Sequence, residues 1–189
     1  VIINIRGTSG SGKTHLVRQI MAEYPTKLRH KVEGRKQPIG YVMAHPERRS
    51  LAIIGHYETA CGGCDTIAKM ETIFELVKES ASRGMDVIFE GLLISADVNR
   101  HVDLHQWAQE NGQELEVVAL TTELQECLDS VNARRKARNP DLPPVKEKNT
   151  ISKFNGVKKS LERLRAAEVP VFEGSREEAL AHIRGKLGL

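Results

Sequence analysis

Aromatic side chains make up only 4% of this chain, and it has three cysteines. So few aromatics argue against an extended stacking channel for single-stranded nucleic acid. Cys61, Cys64 and Cys127 are too few for a disulfide framework, and a reducing cytoplasm is the expected setting. Cys61-Gly-Gly-Cys64 has the spacing of half a zinc knuckle, but no second pair follows, so no structural zinc is expected. No apolar run approaches the roughly 18 residues of a membrane span, and no signal-peptide pattern opens the chain. No membrane partner is expected. Repeats and low-complexity segments are also missing, and 189 residues suit one domain with a real core.

Charge is present but unevenly spread. Residues 1–50 carry ten Lys and Arg against three Asp and Glu, and residues 131–189 carry fourteen against seven. The stretch between them, 51–130, carries four against fifteen. Two basic ends around an acidic middle suit a folded molecule with one positive face for an anionic ligand. Scattered solvated charge is the plainer alternative.

Apolar strands and amphipathic helices alternate along the chain. "VIINIR" reads as a strand and 13–24 as a helix closed by Tyr24-Pro25. "IGYVMAH" and "LAIIGHY" flank "PERRS" as a hairpin. Ile67, Met70, Ile73, Phe74 and Val77 give a helix over 65–83 that ends at Gly84. "MDVIFEG" is a buried strand, 97–111 a helix, "LEVVALT" a strand and 123–137 a helix. Three prolines make 138–149 a loop. A helix over 150–168, the strand "VPVFEG" and a helix over 175–187 complete the pattern. The class is α/β with a mostly parallel sheet covered on both faces, so ligands are expected at the carboxyl ends of the strands.

At the end of the first strand stands "GTSGSGKT". Gly7-x4-Gly12-Lys13-Thr14, between a strand and a helix, fits the phosphate-binding loop. Backbone amides of Gly7, Thr8, Ser9, Gly10, Ser11 and Gly12 can face phosphate oxygens, with the helix N-terminus behind them. Lys13 would reach the outer phosphates and Thr14 would put its hydroxyl on Mg²⁺. Glu90, leaving the strand "DVIFE", is the second candidate for Mg²⁺, through water. Arg134 and Arg138 share a helix face and can clamp phosphate; a solvated helix end is the alternative.

This spelling, without an Asn-Lys-x-Asp guanine-reading signature, resembles the small P-loop kinases that act on nucleosides and nucleotides. That resemblance implies a three-layer sandwich around a five-stranded parallel sheet and a single kinase domain over 1–189. It also implies a hairpin and substrate region near 39–65, an arginine-rich lid near 134–149, and ATP with Mg²⁺ as cofactors.

"GHYETACGGCDTI" is the most individual stretch. Gly62 and Gly63 are expected to shape a loop closing over a substrate. Asp65 has two readings, N-cap of the next helix or general base for an acceptor hydroxyl, with Glu58 or Glu90 as alternative bases. Tyr57 could stack a base or pack in the core. His101-x3-His105 is expected on a solvated face. Tyr57, Thr59, Gly62, Gly63 and Asp65 fit a "Y-x-T-x-x-G-G-x-D" segment similar to one in phage kinases that phosphorylate 5-hydroxymethyluracil in DNA. If the resemblance holds, the acceptor is the hydroxymethyl group of DNA containing that base, in the cytoplasm of the host. Lys27, Arg29, Lys31, Arg35 and Lys36, crowded into "KLRHKVEGRK", are expected to contact backbone phosphates. A deoxynucleoside or deoxynucleotide monophosphate kinase, a polynucleotide 5′-hydroxyl kinase, and an ATP-dependent switch or DNA-binding module without transfer are the competing readings.

Overall fold

A computed structural model describes residues 1–60 and 62–189. Its organising strand is β1 (Ile2–Arg6), in which every residue is buried. Parallel partners lie on both sides of it, β5 (Asp86–Glu90) and β6 (Leu115–Leu120). β4 (Arg48–Ile54) and β7 (Val171–Gly174) extend the parallel sheet outward. These are the five parallel strands expected. Two antiparallel strands, β2 (Thr26–His30) and β3 (Gly40–His45), then widen one edge to give the order β2-β3-β4-β5-β1-β6-β7.

Alternation along the buried strands divides the core. Ile3 and Ile5 pack with Leu16, Val17 and Ile20 of α1 (Lys13–Met21) and Ile183 of α6 (Arg176–Leu187). Ile2, Val87 and Phe89 face the other way. They meet α2 (Met70–Ser82), α3 (Asn99–Glu110) and α5 (Glu147–Ala166). Helices on both faces make the third layer, as parallel strands require. α4 (Leu124–Arg138) crosses above the carboxyl ends of the strands, its Cys127 carbonyl against Gly10. The chain fills the β4–β5 side of β1 first and then crosses to β6 on the other side, so the strand order switches about β1. At the carboxyl ends beside such a switch these sheets form a ligand crevice.

Several expectations need correction. β2 has no counterpart in the sequence pattern: all five of its residues are exposed, so no buried face gives it a periodic signature, and backbone pairing to β3 defines it. The tight turn of the β3–β4 hairpin is confined to Pro46-Glu47, and β4 already begins at Arg48. The helix expected from 65 begins at Met70, after a separate 3-10 turn over Cys64–Thr66. The proline-rich loop is shorter than 138–149, since α5 starts at Glu147.

His101 is not on a solvated face. It is fully buried, stacked on Phe89 at 5.7 Å, and its Nδ1 lies 3.2 Å from Asp97 Oδ1. Burial pushes its imidazole down to about 4. Arg6 is equally buried, and burial pushes its guanidinium down to about 10. It donates to Asn4 Oδ1, Ser160 Oγ and the carbonyls of Ser95 and Asp97, which satisfies a charge that would otherwise be costly inside.

Candidate active site

The glycine loop leaves β1 and ends in the first turn of α1. Gly10 (φ 85°) and Gly12 (φ 100°) occupy the left-handed region, where other residues are strained. A Cβ on Gly10 would also fall 2.3 Å from the Cys127 carbonyl oxygen. Here glycine admits both the backbone path and the close approach of α4. No side chain caps the start of α1, and its first turn carries no acidic residue, so the amides there are open to an anion.

Lys13 is only 7% exposed, and its Nζ donates to the carbonyls of Gly7 at 2.7 Å and Thr8 at 3.1 Å. Burial lowers its pKa, against the opposing attraction of Glu90 and Asp65. Thr14 Oγ1 donates to Glu90 Oε1 at 2.9 Å. Glu90 is 2% exposed; burial raises its pKa, while Lys13 and the Thr14 hydroxyl pull it down. The strand end and the helix start therefore place an ammonium, a hydroxyl and a carboxylate together.

The glycine-rich segment after β4 closes on this group. His56 and Gly63 exchange backbone hydrogen bonds of 3.0 and 2.7 Å, pinching the loop between them. A Cβ on Gly63 (φ 88°) would lie 2.6 Å from Glu90 Oε1, and one on Gly62 would lie 2.8 Å from Thr14 Cγ2. Gly62 and Gly63 thus let the segment press directly on Thr14 and Glu90. Cys64 is buried and its thiol donates to the Ile54 carbonyl at 3.3 Å; Cys61, the other half of the expected pair, lies outside the described residues.

Asp65 does not cap the following helix, whose N-cap is Lys69. Its carboxylate accepts from the Leu92 amide at 3.0 and 2.9 Å and from the Leu93 amide at 3.4 Å, just beyond β5. These bonds aim it into a cleft of about 330 Å³ that Lys13, Thr14, Glu90 and Asp65 share. Each carboxylate oxygen has two lone pairs, so accepting capacity toward the cleft remains. Glu58 is engaged elsewhere, with Arg29 at 2.5 Å.

Arg134 and Ser130, one turn apart on α4, also line the cleft. Arg138 lies a turn farther out, exposed, lining an adjoining groove with Arg134. Two cleft arginines escaped sequence reasoning. Arg18, four residues after Thr14 on the same helix face, donates to the carbonyls of Tyr57 (3.0 Å) and Thr59. Arg176 enters at the start of α6 and pairs with Glu126. The spacing could have exposed Arg18; only the capping box of Ser175 with Glu178 hinted at the position of Arg176.

Two candidates for binding substrate are held by the fold itself. Tyr57 is buried, its ring 6.3 Å from that of Tyr41, so it packs in the core and stacks on no base. Arg35 is half-buried and donates to the Thr66 carbonyl at 3.0 Å, which makes it a tether as well as a charge. Lys36 is exposed, and Thr59 Oγ1 lies 3.1 Å from His56 Nε2.

A glycine loop, a buried lysine and a Thr–Glu pair at the switch point of a parallel sheet define a P-loop kinase, an ATP-using phosphotransferase. The Zeta toxin family matches residues 1–184, and this chain belongs to that family. A relative from Pseudomonas phage PaMx11 named "5-hmdU DNA kinase" is 50% identical, the match covering 97% of this chain and 95% of that protein. One of the same name from Pseudomonas phage M6 is 28% identical over 96% of this chain and 95% of its own. Among solved structures, the deoxyadenosine kinase of M. mycoides with dCMP and dCDP bound has the same fold. Its TM-score is 0.51 at 14% identity, with 100% of this chain and 99% of that one covered.

Proposed function

We propose that this kinase transfers the γ-phosphate of ATP to the hydroxymethyl oxygen of 5-hydroxymethyluracil in DNA. The name shared by the two phage relatives supports the acceptor. The observation that carries it to this chain is the contact of Arg35 with Thr66. That contact joins the basic segment to the turn holding Asp65, so backbone-binding charge adjoins the reacting groups.

In this reading the phosphates lie in the glycine loop, with Lys13 released from the Gly7 and Thr8 carbonyls to pair with them. Arg134 and Arg176 close over the transferring group from α4 and α6, and the segment from 134 to 149 acts as a lid. Thr14 and Glu90, already 2.9 Å apart, suit Mg²⁺, which keeps several waters and takes one or two protein oxygens beside the phosphates. Mg²⁺ there would neutralise charge on the β- and γ-phosphates.

Asp65 accepts the hydroxymethyl proton as the hydroxymethyl oxygen bonds to the γ-phosphorus. The bond from that phosphorus to the β,γ-bridging oxygen breaks, and ADP leaves. The product is a phosphate monoester on the 5-methylene carbon. The whole chain, 1–189, acts as one kinase domain. No helix among the described residues is long and apolar enough to cross a membrane.

The test offers γ-labelled ATP with 5-hydroxymethyluracil DNA, ordinary DNA with free 5′-hydroxyls, and free deoxynucleosides and deoxynucleotides. Label confined to the first supports the proposal. Label on any 5′-end, or on free monomers alone, replaces it with an end kinase or a monomer kinase.

A further inference from the structure

The most exposed large apolar side chain among the described residues is Leu93, at 67%. A single exposed leucine ordinarily needs no explanation. This one has company and a rigid mount. Of the four large apolar residues that protrude, Leu28 and Val32 lie on the basic segment and Leu93 on the rim of the cleft; the fourth is Ile151 on α5.

The mount is built from both sides. The Leu92 and Leu93 amides are fixed on the Asp65 carboxylate. Behind Leu93, the Ala96 amide donates to the Leu93 carbonyl at 3.2 Å, and Ile94 and Ser95 of that 3-10 turn are buried. The turn is bolted to the end of β1, because buried Arg6 holds the carbonyls of Ser95 at 3.2 Å and Asp97 at 2.6 Å. Leu92 lines the cleft, while its neighbour Leu93 stands out in solvent. An apolar side chain on so fixed a support loses little freedom when it is inserted between other groups.

Depth supplies the second argument. The groups that must handle phosphate, Lys13 and Glu90, are 7% and 2% exposed. They sit in the cleft that Arg18, Gly62, Ser130 and Arg134 also line. A paired base offers its 5-substituent at the floor of a major groove about 8.5 Å deep and about 12 Å wide. Groups buried as deeply as Lys13 and Glu90 do not reach the floor of that groove while the base stays stacked.

Resting on the DNA acceptor proposed above, we infer that the target nucleotide enters extruded from the duplex and that Leu93 occupies the gap it leaves. Enzymes that act on a base inside a duplex meet this requirement, and apolar wedges between base steps are one physical solution. The basic segment then follows the flanking backbone, since Arg35 binds Thr66 beside Asp65 and Arg29 binds Glu58 of the loop that closes the cleft. One carboxylate, Asp65, both fixes the wedge and faces the acceptor hydroxyl, so insertion and transfer share a support. Leu93 is a positioning residue in this scheme.

The experiment compares wild type, Leu93→Ala and Leu93→Met on 5-hydroxymethyluracil in three settings: paired in a duplex, opposite an abasic site, and in a single strand. The readout is the ratio of kcat/KM on paired duplex to that on single strand. Leu93→Ala should lower this ratio about tenfold or more, Leu93→Met should restore most of it, and the abasic duplex should narrow the loss. With 2-aminopurine next to the target, fluorescence should rise on binding wild type and less on binding Leu93→Ala. An unaltered ratio in Leu93→Ala, or a wild type inert on paired duplex, overturns the wedge while leaving the DNA kinase intact. A wild type that labels no DNA but labels free nucleotides overturns both.

Discussion

The Thr14 hydroxyl donates a 2.9 Å hydrogen bond to Glu90 Oε1 and so joins the start of α1 to the end of β5. Seventy-six residues apart in sequence, the two groups make one polar unit beneath Gly62 and Gly63. Glu90→Gln keeps the shape of the acceptor and removes its charge. It should reduce transfer by about 10²-fold or more, the usual scale for losing one electrostatic contact to a reacting phosphate or metal. Thermal melting should change little, since burial opposes the charged form of Glu90. Steady-state transfer at varied Mg²⁺, with a melting curve alongside, is the check; transfer near wild type would remove Glu90 from the site.

Lys13→Ala should cost about 10²–10³-fold in transfer. The lysine also holds the Gly7 and Thr8 carbonyls, so a small loss of melting temperature is expected, in a protein that still folds. A folded variant turning over at near the normal rate would show that phosphate is handled elsewhere.

Asp65→Asn separates proton transfer from architecture. Asparagine retains one oxygen for the Leu92 amide but is not a base. Transfer should fall about 10²–10⁴-fold while urea unfolding stays close to wild type. If Asp65→Asn and Asp65→Ala lose stability in step with activity, the carboxylate serves only to hold the Leu92–Leu93 turn.

Gly63→Ala tests the loop that lies on Glu90. At φ 88°, with a Cβ position 2.6 Å from Glu90 Oε1, alanine should destabilise the fold by about 1–3 kcal/mol and depress transfer as well. Chemical denaturation reads the first and labelling the second. An alanine variant of full stability would mean the loop rests elsewhere in solution.

Salt dependence tests the basic segment, with Arg35 left in place because it tethers the segment to Thr66. Replacing Lys27, Lys31 and Lys36 by alanine should flatten the slope of log DNA affinity against log salt. The change should be up to about 2.7, at about 0.9 for each phosphate released. ATP affinity should hold. An unaltered slope would make these lysines solvated surface.

The fold should weaken in mild acid through His101. Its folded pKa of about 4 lies below the unfolded value of about 6.5, so the unfolded chain takes up the proton first. The neutral imidazole contributes fully above about pH 6.5, and its contribution is lost as pH falls toward 4, about 3 kcal/mol in all. Urea unfolding between pH 7 and 5 should show this slope, and His101→Phe should flatten it. An equal slope in both would assign the loss to other groups.

Local signals carried far in this chain. The glycine loop, the apolar strands, and the helix stops at Gly84 and Gly112 each arise within a few neighbouring residues, where backbone sterics and side-chain period decide. Thr14 beside Glu90 could be anticipated too, since both lie at the ends of elements that a parallel sheet brings to one edge. Other features depended on partners distant in sequence. β2 exists because β3 offers backbone hydrogen bonds, and its five exposed side chains supply no pattern of their own. Asp65 faces the cleft because amides twenty-seven and twenty-eight residues away hold it. Tyr57 is buried because the Tyr41 ring of β3 packs against it, and His101 because Phe89 and Asp97 enclose it. Composition and spacing determined most of the elements and the glycine loop that opens the cleft. Only packing decided which polar side chains meet there and which are withdrawn into the core, because burial and hydrogen bonding depend on neighbours that the chain acquires when it folds.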